Sequence, residues 1–599
     1  MFRSAQDRLD YGEILRPPAG FVCEIAVGTT YSLDLETMLG VPLALFFREE
    51  MDENLLGNPI AILEGLRKSA DKIALFCEGG QIQVPRTNPV FALLEDSVFE
   101  VVLKNQKSFH PKVWLIKYVD SNSEKLLYRF ITLSRNLTFD RSWDAAVVLE
   151  GEVSEEVTDK NRPLIDFLRF LQARTTAADK EKRIRALAEE LPRVHFQTHD
   201  QHFIDFSFLP LGIGKGYNKE STGLFKKYHH LLVISPFLSR TTVLELDRLS
   251  LTNSHKTLIT RRSEIPHLTQ EMLDSFPCYC LKDTVVDGEE AISESESAMA
   301  DIQKQDIHAK LYFKTKYTEH DLYIGSANCS LSAWNGNVEF MLRLRYKKWG
   351  FRISQVIDEL FGRDKEDFDE RHNPFERIVE MPEPNHDEDD VQQLLQNAIK
   401  SLCRSGPRAN VTENNGLYAV TIRFDLQKVD TEIDMTIELL GGGSAAKIQN
   451  TTVLSGLSLL ELGEFYIVTA ELGEESLQRI LKIPTRGIPA ERDAEVFKTI
   501  IKDEDTFLRY VVFLLSDDYL LALLEQQTER GKTGSSSWSF SGYDRPVLYE
   551  NMLKAAARSP EKLREIDEII QLLDDTDIVP PEFDRLYTTF LQASRRLKS

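Results

Sequence analysis

Two short patterns carry the chemistry of this sequence. The first is Ser108-Phe-His110-Pro-Lys112, followed by Ser134-Arg-Asn136 and then Asp144. The second is Asp306-Ile-His308-Ala-Lys310, followed by Ser326-Ala-Asn328 and then Glu339. Each is a His-x-Lys entering an apolar run, then a Ser-x-Asn closing a later run, then an acid. A single His-x-Lys has no meaning; two, each followed by Ser-x-Asn at comparable distance, have a great deal. In an extended strand residues i and i+2 point the same way, so imidazole and ammonium face one pocket. Two such halves would set two histidines, two lysines and two asparagines around one tetrahedral anion. That is the inventory of phosphoryl transfer: groups to hold non-bridging oxygens, one nucleophile and one proton donor.

The elements that must position these residues recur in order. Apolar runs at 21–28, 72–80, 113–118, 126–133 and 145–149 predict strands, with a helix over 33–47 and helical, charged sequence over 163–190. A second series follows at 229–236, 256–260, 278–281, 309–313, 322–325 and 339–346. Strands separated by helices predict an α/β fold, and the repeated order predicts a duplicated domain. Beyond residue 350 the character changes. Residues 416–483 alternate as strands around Gly441-Gly-Gly-Ser, and the pattern from Asp493 onward is helical, with Ser559-Pro560 as a helix start. The expected division is 1–175 and 176–352 for the two repeats, 353–410 for an acidic helical linker, 411–490 for a β-rich domain and 491–599 for a helical C-terminal domain.

The paired motifs resemble those of the phospholipase D superfamily, His-x-Lys, then Asp, then Gly-Ser-x-Asn. Lys117 and Thr315 stand where the family Asp would follow each lysine, and Leu133 replaces the usual glycine of the first copy. The Asp-less form, with the run Ser326 to Trp334, is similar to the tyrosyl-DNA phosphodiesterase branch and to bacterial phospholipase D-like nucleases, over roughly residues 20–350. The resemblance implies an α-β-α sandwich built twice, with its active site on a pseudo-twofold axis. It implies that one histidine attacks phosphorus and forms a phosphohistidine while the other protonates the leaving oxygen and then activates water. His110 is expected to be the nucleophile and His308 the acid and base, with the reverse assignment open. Lys112, Lys310, Asn136 and Asn328 would bind phosphate oxygens. Ser134 and Ser326 would support that shell, and Asp144 and Glu339 would accept the second ring N–H of a histidine. No cofactor and no metal is expected, the lysines supplying the charge.

The net charge of −23 argues against a nucleic-acid binder only until its distribution is read. Residues 1–350 hold 43 basic and 49 acidic side chains, leaving 29 and 46 for residues 351–599. The segment 287–301 alone brings six acids and no base, and reads as a solvated loop or as a gate over the pocket. Basic residues from Lys104, Lys107 and Lys117 to Lys314, Lys316, Arg343, Arg345, Lys347 and Lys348 flank the motifs and could track a phosphate backbone. The expected substrate is therefore nucleic acid, DNA rather than RNA, with residues 353–599 as a regulatory or docking module for a partner such as an ATPase or helicase, in a defence or DNA-processing system. Alternatives are a lipid phosphodiesterase, a DNA-end repair enzyme and an inactive scaffold.

No apolar run is long enough for a membrane helix, and the charged start is unlike a signal peptide, so a cytoplasmic protein without membrane partners is expected. Cys278 and Cys280 read as buried strand thiols, and His195, His199 and His202 as a polar connector rather than a zinc site.

Overall fold

The computed structural model describes residues 11–46, 58–86, 88–105, 107–138, 142–282, 307–363, 373–381, 389–428, 433–515, 545–573 and 578–597. The acidic segment 287–301 and the loop 531–543 lie outside the described residues.

The chain folds as α/β, and the same sheet is built twice. In the first, strands Phe21–Thr29, Ile73–Glu78 and Val98–Val101 run parallel, because helical crossovers connect them. On the other side of Phe21–Thr29 lie Val113–Asp120, Leu126–Leu133, Ala146–Val153 and Val194–Gln197, each antiparallel to its neighbour. In the second, Tyr228–Ile234, Ser250–Ile259 and Cys278–Leu281 form the parallel side. Leu311–Lys316, Glu319–Gly325, Glu339–Tyr346 and Phe203–Leu211 form the antiparallel side. Six strands match in order, the outermost position being filled by the last strand of the first copy and the first strand of the second, so the His-x-Lys residues precede the equivalent strands Val113–Asp120 and Leu311–Lys316. Strand Val194–Gln197 is paired into the first sheet beside Ala146–Val153, and helix Arg162–Gln172 packs against strand Phe203–Leu211 of the second. Between the sheets Phe130, Phe167, Phe208 and Phe340 pack edge to face in one continuous core that draws on both halves.

Residues 353–410 are only partly the helical linker expected. After helix Ile353–Leu360, strand Phe375–Ile378 extends the second sheet beside Cys278–Leu281, and Cys278 and Cys280 are buried there. Helix Asp389–Arg404 follows and buries Leu395, Ile399 and Leu402 against a β domain of two sheets.

That β domain is seated on the first half. Its strand Glu475–Lys482 meets the short strand Ile82–Gln83, and Arg492 Nη1 lies 2.5 Å from Glu95 Oε2 with both side chains under a tenth exposed. Lys482 Nζ caps the carbonyl of Val98 at 2.8 Å. The C-terminal helices then cover helix Pro59–Ser69, packing Phe507, Val511 and Ile566 against Ile60 and Leu63. Helix Pro560–Leu572 begins where Ser559-Pro560 predicts, although Ser559 makes no side-chain cap bond; Leu563, Ile566 and Leu573 are buried.

Candidate active site

The two halves meet by exchanging backbone. Phe109 bridges Val338 and Trp143 bridges Ile307, so each His-x-Lys segment is hydrogen-bonded to the strand entry of the other half. His110 N donates to the Val338 carbonyl at 2.9 Å, and His308 N donates to the Trp143 carbonyl at 3.0 Å. One residue beyond each bridge partner is an acid. The exchange therefore sets His110 beside Glu339 and His308 beside Asp144, each histidine served by the carboxylate of the opposite copy.

His110 Nδ1 stands 2.9 Å from Glu339 Oε2, and Glu339 is fully buried. With the carboxylate accepting from Nδ1–H, the lone pair falls on Nε2, which faces Lys112 Nζ at 3.0 Å. Glu339 is itself held by the Ser326 hydroxyl and, at 3.3 Å, by Asn337 Nδ2. The second set is looser: His308 Nδ1 lies 3.3 Å from Asp144 Oδ1, and Asp144 accepts from Ser134 Oγ at 2.9 Å. The two serines thus donate to the acids. Each orients the acid that orients a histidine.

Both lysines are buried, Lys112 at 1% and Lys310 at 0% exposure. Lys310 Nζ donates to the carbonyls of His308 at 2.7 Å and Ser134 at 3.2 Å, another contact across the halves. Burial pushes Lys112 down to about 7 against the pull of Glu339 and Asp144, and Lys310 well below its ordinary value, with Lys112 adding to the fall. Burial also takes His110 down to about 4, opposed by Glu339 and helped by Lys112. His308 falls to about 4 through burial and then Lys310, opposed by Asp144. Two buried lysines side by side disfavour each other's charge, and a negative charge placed between them would oppose the fall of both.

Asn136 and Asn328 sit just past the ends of equivalent strands. Their loops are pinned alike: Leu137 N donates to Thr30 Oγ1 at 3.0 Å, and Cys329 N to Ser235 Oγ at 2.8 Å. The side-chain Oδ1 of each asparagine is buried without a hydrogen-bond partner among the described residues. The copies differ in the residue before the serine. A Cβ at Gly325 would lie 2.2 Å from the Phe340 carbonyl, so only glycine fits there, whereas Leu133 pairs normally with Ala146.

Three contributors were not predicted. The Tyr31 ring packs 5.0 Å from that of His110. Glu78, at the end of strand Ile73–Glu78, accepts from Phe109 N at 2.6 Å, and Lys400 Nζ lies 2.6 Å from Glu78 and 2.8 Å from Ser108 Oγ. Helix Asp389–Arg404 therefore reaches the segment that carries His110. Of the flanking basic residues, Lys117 pairs with Glu190, Lys314 with the Leu224 carbonyl, and Arg345 with Asp321, so these are committed to the fold. His195 bonds the Glu156 carbonyl and His202 bonds Asp200. Among the described residues no group of three or more His, Cys, Asp and Glu side chains is arranged to hold a metal, and no helix is long and apolar enough to cross a membrane.

No family model matches the chain, and no curated protein does. Among solved structures it is similar to a mutant yeast tyrosyl-DNA phosphodiesterase, at 13% identity and a TM-score of 0.33, over 55% of this chain and 84% of that one. It is also similar to the polyphosphate kinase of Porphyromonas gingivalis, at 13% identity and a TM-score of 0.34, over 65% of this chain and 51% of that one.

Proposed function

We propose that the chain is a phosphodiesterase that cleaves nucleic acid, DNA by preference, through a covalent phosphohistidine. The observation that carries this reading is the crossed pair of His–carboxylate contacts set around two buried lysines. His110 Nε2 attacks phosphorus, Lys112 shifting from that nitrogen to a non-bridging oxygen. The P–O bond to the leaving group breaks, and the departing oxygen takes a proton from His308. The charge of the bound diester and Asp144 together raise His308 from its empty-pocket value, so that it holds this proton. Water then gives its proton back to His308 and displaces His110, breaking the P–N bond. Lys310, Asn136 and Asn328 hold the equatorial oxygens, and charge stabilisation of this kind is the largest single contribution in such sites.

Residues 353–599 are proposed as a regulatory or partner-docking module, with an ATPase or helicase as candidate partner. Cleavage of end-labelled single- and double-stranded DNA in EDTA, by wild type and by His110→Ala and His308→Ala, tests the reading. Cleavage that resists EDTA and falls by about 10² or more in both variants supports it. Equal activity in wild type and variants refutes it, and the product ends separate nuclease action from end repair.

A further inference from the structure

The second half ends, far from the catalytic pocket, in an edge of unusual chemistry. Tyr346, His320, Thr315 and His230 occupy one registered row across four neighbouring strands. Strands lie about 4.8 Å apart, so the segments just beyond that row share an edge roughly 15 Å wide. They carry Lys347, Lys348 and Trp349 just past the end of one strand, Lys316 and Tyr317 on the hairpin beside it, and Lys227 before the fourth. Trp349 is 99% exposed and Tyr317 73%. Trp349 therefore buries almost none of its ring against the fold, and with Tyr317 it sets two exposed aromatic rings among lysines. Tyr317 is held in position, packed 4.8 Å from the His229 ring with Lys316 Nζ 5.9 Å from its centroid. Lys227, Lys347 and Lys348 are exposed and make no ion pair among the described residues.

The duplication supplies the control. Strand Ala146–Val153 of the first half is the topological counterpart of Glu339–Tyr346, and its end reads Glu150-Gly-Glu152-Val-Ser-Glu155-Glu156 where the other reads Arg343-Leu-Arg345-Tyr-Lys347-Lys348-Trp349. The counterpart hairpin runs from Asp120 to Lys125 through Glu124, without an aromatic residue. The same fold position is acidic in one copy and basic and aromatic in the other, so the fold does not require the lysines. In a chain of net charge −23 their clustering is not a by-product of composition.

We infer that this edge binds a single strand of nucleic acid, the lysines meeting phosphates and Trp349 and Tyr317 stacking on bases. The inference rests on the nucleic-acid reading above. Glu339 and Tyr346 are the two ends of one eight-residue strand, so the edge lies about 25 Å from the histidines and grips the substrate away from the scissile bond.

The test is binding of a fluorescein-labelled oligothymidylate to the full chain at several salt concentrations. Lys347→Glu with Lys348→Glu should weaken binding about tenfold or more and lower the slope of log affinity against log salt by about 1.4. Trp349→Ala should weaken it about tenfold with the slope retained. Bis(p-nitrophenyl) phosphate is too small to span 25 Å, so its hydrolysis should be unchanged in every variant and reports an intact site. Unchanged oligonucleotide binding in all variants overturns the inference, as does binding of anionic phospholipid vesicles by this edge in place of the oligonucleotide. A wild-type chain that binds oligonucleotide through the edge and hydrolyses no diester keeps the inference and refutes the proposed activity.

Discussion

The two histidines occupy equivalent positions and are held unequally. His110 meets a carboxylate that is fully buried, with a serine and an asparagine locking both of its oxygens. His308 meets Asp144, whose second oxygen is buried without a partner among the described residues, across a longer gap. Around His110 the first half adds Tyr31, Glu78 and, from helix Asp389–Arg404, Lys400. The difference fits a division of labour. In the proposed mechanism the nucleophile must be aimed, which suits the tighter contact at His110, and the proton shuttle must serve a leaving oxygen and then a water, which suits the looser one at His308. The C-terminal module follows the same asymmetry, since it is seated on the half that carries the clamped histidine.

The lysines test whether both halves serve one anion. Lys112→Ala and Lys310→Ala should each lower kcat/KM by about 10² to 10³, and the double variant should lose less than the product of the two. Full multiplicativity would mean the two lysines act at separate sites. The carboxylates test the inequality itself. Glu339→Gln should lower kcat by about 10² or more, because an amide can present a donor to Nδ1 and favour the wrong tautomer, and Asp144→Asn should cost several-fold less. Equal losses would remove the distinction between a clamped and a free ring.

Protonation provides a subtler test. Lys112 in the empty pocket sits near 7, so above that pH it is mostly neutral, and an arriving anion must draw a proton to it. Sulfate binding measured by calorimetry in buffers of different ionisation enthalpy should show net proton uptake at pH 8. Affinity should fall as pH rises through 7, and pH-independent affinity would place the sulfate away from Lys112. The smallest effect is expected at Lys400. Lys400→Ala should lower kcat a few-fold while leaving sulfate affinity intact, since it steadies the His110 segment through Glu78 and Ser108 without touching the anion.

Much of this site was legible in the sequence because its residues lie within short, repeated spacings. The i, i+2 rule placed His110 with Lys112 and His308 with Lys310, and the repeated order of strands foretold the duplicated sheet. The crossing of the acids between copies was not legible. Spacing relates residues within a copy, whereas the bridges of Phe109 to Val338 and of Trp143 to Ile307 are products of how two sheets face each other. Tyr31 and Lys400 had no motif around them, and Lys400 arrives from nearly 300 positions away, on a helix whose apolar face alone shows in the pattern. Strand Phe375–Ile378 was hidden for a related reason: FERI is short and half charged, and it becomes a strand only because Cys278–Leu281 offers it an edge. The β domain and the helical end could be read as element types, but their seating on the first half depends on Arg492 with Glu95 and on Lys482 with Val98.

The most direct test of the account is to trap the intermediate. A p-nitrophenyl diester has a leaving group that departs without a proton donor, so His308→Ala should still complete the first step and then stall, having no base to activate water. Intact-mass and peptide analysis at neutral pH should find the phosphoryl adduct on His110, with one nitrophenolate released per chain in a burst. An adduct on another residue, or continued turnover of His308→Ala without any adduct, would contradict it.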